Sequence, residues 1–153
     1  KDAVYADNLR FLGYDFVFRN DMLEITTNWQ VEYQIHGVLN RLYAFLNSAL
    51  DLELDKRLHQ PYHVFLHLLD MNSGELAYGF DELMLNDRGL PVSLWRNRET
   101  VSLQHLLILS ELPPGVYQLG IGLYDFESGD RLPITAGIAA GNDWLPLEKL
   151  ALR

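Results

Sequence analysis

The chain has 153 residues, a net charge of −9 and no cysteine, and 48% of its residues are hydrophobic. That length and apolar content fit one globular domain, residues 1–153, with a substantial core. The 21 acidic residues against 12 basic ones argue against nucleic acid and against anionic lipid headgroups as partners. The lack of cysteine excludes disulfide bonds and thiolate metal sites within this chain.

The start of the chain shows neither a signal peptide nor a membrane span. Lys1 is followed at once by an acidic residue, and no apolar run reaches the ~20 residues that a membrane helix needs. Because the first residue is not Met, we expect a processed protein or a fragment of a larger membrane protein.

Two strands are predicted near the start. Residues 9–18, LRFLGYDFVF, are rich in aromatic residues and interrupted by Gly13, which predicts a strand with a bulge or bend. From residue 22 apolar and polar side chains alternate, which predicts a strand with one buried and one wet face. The buried face would carry Leu23, Ile25, Thr27, Trp29, Val31 and Tyr33.

A change of period then predicts one α-helix, around residues 35–54. Apolar residues recur there at spacings of three and four. We favour a helix that packs on the sheet or closes one end of the core, and a lid or partner-binding helix is the alternative. A membrane-surface helix is disfavoured, because the polar face lacks the usual lysines and arginines.

The rest of the chain predicts further strands at residues 62–70, 75–80, 100–109, 116–125, 131–135 and 144–152. Together these segments make about eight strands separated by Gly and Pro turns. The pattern predicts a mainly β fold, an antiparallel β-sandwich of immunoglobulin or jelly-roll type with the one inserted helix.

Two turns share the pattern acid-x-x-Ser-Gly-acid, one starting at Asp70 and one at Asp125. Each follows an apolar strand, and glycine supplies the positive φ of a tight turn. Hairpin turns are therefore favoured over a calcium site at Asp125, Glu127 and Asp130, whose spacing is not that of an EF-hand. No metal or other cofactor is expected.

His63, His67 and His105 lie on predicted strands and are expected to be structural. Residues 63 and 67 would stand ~13 Å apart on a strand, too far to share one metal ion. No nucleophile elbow, P-loop or HExxH motif is present. Paired carboxylates for glycoside hydrolysis remain open, with Asp70, Asp81 and Asp125 as the side chains to test.

The tryptophans are read mainly as packing residues. Trp29 continues the apolar face of its strand and is assigned to the core. Trp95 and Trp144 stand in loop-like sequence, where packing is favoured and a platform for stacking on a sugar ring is the alternative.

Several motifs, in their order along the chain, resemble a known family pattern. They are LGYDF at residues 12–16, Trp29, VFLHLLD at 64–70, Asp81, LW at 94–95, LPPGVYQLGIGLYD at 112–125 and SGDRLPI at 128–134. The pattern resembles the soluble C-terminal β-sandwich domain of bacterial membrane glycosyltransferases related to dolichyl-phosphate-mannose protein mannosyltransferases. The helical segment before residue 60 departs from that pattern, in which a short loop joins the two strands.

The resemblance implies a non-catalytic accessory domain, because no position here corresponds to the family's catalytic acids. It implies a location on the extracytoplasmic face of the bacterial membrane. The implied partners are the transmembrane catalytic portion of the same polypeptide and a glycan or polyprenyl-linked sugar. A free-standing carbohydrate-binding protein and a small carboxylate-based hydrolase are the alternatives. The ligand-binding candidates are Asp70, Asp81, Trp95, Tyr124, Asp125 and Arg131.

Overall fold

The computed structural model describes residues 2–6, 8–32 and 62–153. The helix expected at residues 35–54 lies outside these ranges. Within them the chain forms β-strands and one short 3-10 helix, Val92–Leu94, and no α-helix. The strands are β1 (Ala3–Tyr5), β2 (Leu9–Arg19), β3 (Met22–Val31), β4 (Tyr62–Asp70), β5 (Leu76–Leu83), β6 (Thr100–Ile108), β7 (Gly115–Asp125), β8 (Ile134–Gly137) and β9 (Trp144–Leu152).

The strands form two antiparallel sheets. One has five strands in the order β6-β3-β2-β1-β8, and the other has four in the order β5-β4-β7-β9. Buried residues of both sheets belong to one hydrophobic core, which is consistent with a β-sandwich. The prediction of a mainly β, antiparallel fold is confirmed. No helix in the described ranges is long and apolar enough to cross a membrane.

Strand β3 alternates between buried and partly exposed residues along its whole length, as predicted. Trp29 is fully buried on its inner face. The ring of Trp29 lies 5.7 Å from that of Tyr5 and 4.9 Å from that of Phe11, measured between centroids. The core position predicted for Trp29 is confirmed.

Strand β2 contains the predicted bulge. Its register against β3 shifts between Phe11 and Gly13, and the φ of Gly13 is +145°, a value that side-chain-bearing residues rarely adopt. Because the bulge resets the alternation, Phe11 and Tyr14 lie on the same side of the sheet, and their rings stack at 6.4 Å.

A chain of buried polar groups connects β3 with β6 and β5. Trp29 Nε1 donates to Thr27 Oγ1 at 2.9 Å, and that oxygen lies 2.8 Å from His105 Nε2. The Thr27 hydroxyl therefore contacts both the indole of Trp29 and the ring of His105. Nδ1 lies 2.7 Å from Glu82 Oε1, although the two groups are not aligned for a hydrogen bond. His105 is thus a hydrogen-bonded structural histidine, as predicted.

Candidate ligand-binding face

The turn after β4 is organised by the carboxylate of Asp70. Its Oδ1 accepts the backbone N–H groups of Asn72 at 2.7 Å and Ser73 at 3.3 Å. Gly74 has a φ of +74° and donates to the Asp70 carbonyl at 2.7 Å. The turn joins the antiparallel strands β4 and β5, so the hairpin prediction is confirmed.

The turn after β7 repeats this geometry. Asp125 Oδ1 accepts the N–H groups of Glu127 at 2.8 Å and Ser128 at 3.2 Å. Gly129 has a φ of +75° and donates to the Asp125 carbonyl at 2.8 Å. Both aspartates therefore cap backbone amides. In the described part of the chain, no three His, Asp or Glu side chains converge in an arrangement that could hold a metal ion.

Asp70 and Asp125 also lie far from each other. In the β4–β7 pair, Asp70 stands opposite Tyr117 and Asp125 stands opposite Tyr62. Eight residues of strand separate these positions, which corresponds to about 26 Å. Glycoside hydrolysis needs two carboxyl groups within about 10 Å, so these two cannot act together on one bond.

Trp95 lies in the core. It is fully buried, and its Nε1 donates to the Leu90 carbonyl at 2.8 Å. A ligand at the surface cannot reach this ring, so Trp95 does not belong to a binding face. The packing role favoured for it agrees with this position.

Three of the other candidates, Asp81, Tyr124 and Arg131, meet on the outer face of the four-stranded sheet. Along β4 the core receives Val64, Leu66 and Leu68, so the residues between them point outward. Strand pairing then sets Tyr124 opposite His63, and Asp81 opposite Phe65. We call this outer surface the ring face; its side chains are His63, Phe65, His67, Asp81, Tyr124, Phe126, Arg131 and Trp144.

Two glycines of β7 form the floor of the ring face. A methyl group at Gly120 would overlap the indole of Trp144, and one at Gly122 would overlap the ring of Phe65. Both rings therefore lie directly against backbone. The glycines leave this face of β7 bare, and rings from the two neighbouring strands fill the space.

Tyr124, Asp81 and His63 form a polar cluster at one end of the ring face. Tyr124 Oη donates to Asp81 Oδ2 at 2.6 Å. His63 Nδ1 lies 3.3 Å from that hydroxyl and 3.7 Å from the same carboxylate oxygen. Burial, followed by the Asp81 carboxylate, raises the pKa of Tyr124 to about 12, so the phenol stays protonated and donates at neutral pH.

Phe126 extends the polar cluster with an exposed ring. Its centroid lies 4.7 Å from that of His63 with an interplanar angle of 19°, so the two rings stack. Phe126 is 61% exposed, and the stacking fixes its orientation while leaving most of its surface in solvent.

Arg131 and His67 border the cluster on the other side. The guanidinium carbon of Arg131 lies 4.8 Å from the Phe65 ring centroid, and its Nη1 lies 3.7 Å from Asp143 Oδ2. Burial first, and the Arg131 charge second, lower the pKa of His67, against an opposing effect of Asp81. His67 is therefore neutral at pH 7 and offers hydrogen-bonding nitrogens without charge.

The structure thus brings three of the six candidates together: Asp81, Tyr124 and Arg131. Sequence analysis assigned His63 a structural role and did not single out Phe126, since their proximity depends on cross-strand register and on the turn after β7. The cluster combines a flat exposed ring, a carboxylate and hydrogen-bond donors.

No protein-family model matches the chain, and no curated protein matches it in sequence.

Proposed function

We propose that this domain is a non-catalytic sugar-binding module and that the ring face is its binding surface. The observation that carries the proposal is the exposed Phe126 ring beside the Tyr124–Asp81 pair. A pyranose has one face of C–H groups, which stack on a flat ring, and hydroxyls at its edge, which need acceptors and donors. Both requirements are met within one small surface.

Asp81 is the main polar contact in this proposal. Its side chain is 56% exposed, and the Tyr124 and His63 contacts both use Oδ2. Oδ1 has no partner among the described residues, so it is available to accept hydrogen bonds from sugar hydroxyls. Tyr124 holds the carboxylate in place, which lowers the entropy cost of binding.

The proposed context is an accessory domain of a membrane glycosyltransferase that uses polyprenyl-phosphate sugars. Support comes from the resemblance, whose motifs include Asp81, Tyr124 and Arg131. The domain would then stand on the extracytoplasmic face of the membrane, next to the transmembrane catalytic portion of the same polypeptide, and would position the glycan or acceptor.

Binding is tested by titrating the domain with mannose, glucose, galactose and short oligosaccharides up to millimolar concentration, followed by NMR shifts of assigned amides. We expect shifts at Asp81, Tyr124 and Phe126. Phe126→Ala should weaken binding about tenfold, since one stacking ring contributes roughly 1.4 kcal/mol. Phe18→Ala is the matched control, because Phe18 is also exposed, at 42%, but lies on the other sheet. Absence of shifts with every sugar would refute the proposal.

The proposed place of the domain in a membrane glycosyltransferase is tested separately, by blotting fractionated native cells with an antibody to the domain. A membrane band much larger than 17.6 kDa is expected for part of an integral enzyme. A soluble band near 17.6 kDa would instead support the free-standing carbohydrate-binding protein.

A further inference from the structure

Among the described residues, the edge strand β6 shows none of the devices that normally protect a sheet edge. Its residues Thr100–Ile108 include no Asp, Glu, Lys, Arg or Pro. Its pairing with β3 runs through nine residues without a register shift, and no other described strand pairs with it. Long, regular, uncharged edges are templates for an added strand, and proteins usually block them.

The other three sheet edges are blocked. Strand β5 carries Asp81 and Glu82 and has a register shift. Strand β9 contains Pro146 and also has a register shift. Strand β8 has four residues. The contrast within one molecule marks β6 as the edge at which strand addition is open.

The backbone groups that point outward from β6 can be assigned. Leu109 N donates to Asp21 O at 2.8 Å, which sets the phase of the β3–β6 ladder. Because hydrogen-bonded and non-hydrogen-bonded pairs alternate in antiparallel sheets, the N–H and C=O groups of Ser102, Gln104 and Leu106 point away from β3. These groups are the hydrogen-bonding sites for an incoming strand.

A cleft of about 420 Å³ lies beside this edge, between β6 and the segment that follows β5. Leu103 and Gln104 line one side of it, and Leu85 lines the other. A strand added to β6 would direct alternate side chains toward this cleft, as inward-facing residues of a sandwich do. The cleft therefore offers space for those side chains.

The charge of the cleft indicates the chemistry of the incoming strand. Glu82 and Asp87 line it, and none of the described residues that line it is Lys or Arg. The side chain of Glu82 is 38% exposed and that of Asp87 is 89% exposed. Arg88 lies 4.0 Å from Asp87 but makes its close contact, at 3.0 Å, with Glu99. Glu82 Oε1 already lies 2.7 Å from His105 Nδ1, so Asp87 is the carboxylate left to meet a cation from outside.

We propose that β6 is a docking edge for an extended peptide segment of another polypeptide, with a Lys or Arg side chain directed into the cleft toward Asp87. Main-chain hydrogen bonds to Ser102, Gln104 and Leu106 provide affinity, and the basic side chain provides selectivity. A second copy of this chain is a poor occupant, because its β6 has no basic residue and each copy carries a net charge of −9.

The test measures the anisotropy of a fluorescently labelled peptide as it binds to the whole domain. The peptide is acetyl-Thr-Val-Thr-Lys-Thr-Val-Thr-amide. Three unlabelled competitors are compared: the same peptide, its counterpart with Glu in place of Lys, and its counterpart with alternate backbone amides methylated. We expect the Lys peptide to compete at least about tenfold better than the Glu peptide. Methylation of the alternate peptide amides that would face β6 should abolish competition.

Gln104→Pro is the decisive variant. The N–H of Gln104 points away from β3, so proline removes an outward donor and leaves the β3–β6 ladder complete. The variant should keep its circular dichroism and lose binding at least tenfold. Gln104→Thr, which keeps the donor, should bind normally, and Asp87→Asn should reduce the preference for Lys over Glu.

Equal binding by Gln104→Pro and the unmodified domain, or no binding of any unmethylated peptide, would overturn the proposal. Sedimentation at several protein concentrations addresses the competing occupant. A dimer that Gln104→Pro dissociates would show that β6 pairs with a second copy, which also overturns it.

Discussion

The hydroxyl of Tyr124 on β7 donates a 2.6 Å hydrogen bond to Asp81 on β5, and the bond crosses the intervening strand β4. It links the side chains of strands that are not neighbours in the sheet. His63, on the strand between them, approaches both groups. The polar end of the ring face is therefore a fixed arrangement of three strands, suited to holding Asp81 in one orientation.

This bond predicts a pH dependence of stability. The pKa of Tyr124 is raised from 10.0 to about 12, so the folded state holds the phenolic proton more tightly than the unfolded state. The stability that results is fully present below pH 10 and is lost as pH rises to about 12. Burial also raises the pKa of Tyr5, which adds a loss of the same sign.

Denaturant unfolding at several values between pH 8 and pH 12 measures the effect. The unmodified domain should lose more stability over pH 10 to 12 than Tyr124→Phe, whose remaining loss would come largely from Tyr5. Asp81→Asn is the control, since its amide oxygen still accepts from the phenol while the charge is gone. Parallel curves for the unmodified domain and Tyr124→Phe would contradict the assignment.

Two glycines on the same sheet should respond very differently to a methyl group. In Gly120→Ala the new methyl overlaps the Trp144 indole, which should cost about 1–3 kcal/mol of unfolding free energy. In Gly79→Ala the nearest atom is 3.7 Å away, on His67, so the cost should stay below about 0.5 kcal/mol. Urea unfolding compares them, and similar costs would show that Trp144 is not held against the sheet.

Local patterns allowed much of the fold to be predicted. The alternation along β3 and the glycine bulge in β2 are properties of consecutive residues, and both were predicted correctly. Both Asp-Gly turns were also predicted, because the Asp and Gly that form them lie within five positions. The paired strand expected at residues 131–135 was wrong, since only an isolated bridge joins Tyr124 to Arg131 and β8 pairs with β1 in the other sheet. Trp95 was harder, since the partner of its indole is the Leu90 carbonyl in an irregular segment that carries no periodic signal.

The ring face could be predicted only in part. Asp81, Tyr124 and Arg131 were candidates, but their meeting depends on the register of β7 with β4 and of β4 with β5. Tyr124 and His63 stand opposite each other although 61 residues separate them in sequence. A shift of one residue in either pairing would turn these side chains into the core. Register is set by the whole sheet, so no short motif reveals the cluster.

The buried Thr27 hydroxyl should be important for stability. It accepts from Trp29 and faces His105, so Thr27→Val leaves two buried nitrogens without partners while keeping the side-chain shape. We expect a loss of about 2 kcal/mol in unfolding free energy. Thr26→Val on the wet face of β3 is the matched control, with an expected change below about 0.5 kcal/mol. Equal effects of the two substitutions would show that the buried hydroxyl contributes nothing specific.

The turns at Asp70 and Asp125 should respond alike to mutation because they have the same geometry. Gly74 and Gly129 have φ values of +74° and +75°, and neither has an atom within 4 Å of an added methyl group. Alanine at either position therefore meets only the strain of a left-handed backbone, about 1 kcal/mol in each case.

Asp70→Asn and Asp125→Asn should be mild, since the amide oxygen still caps the turn, whereas Asp→Ala at either position should cost about 1 kcal/mol. Thermal unfolding with and without millimolar calcium completes the test, because turns that hold themselves together through backbone amides should show no shift. A calcium-dependent rise in midpoint that Asp125→Asn abolishes would restore the metal interpretation that the turn geometry disfavours.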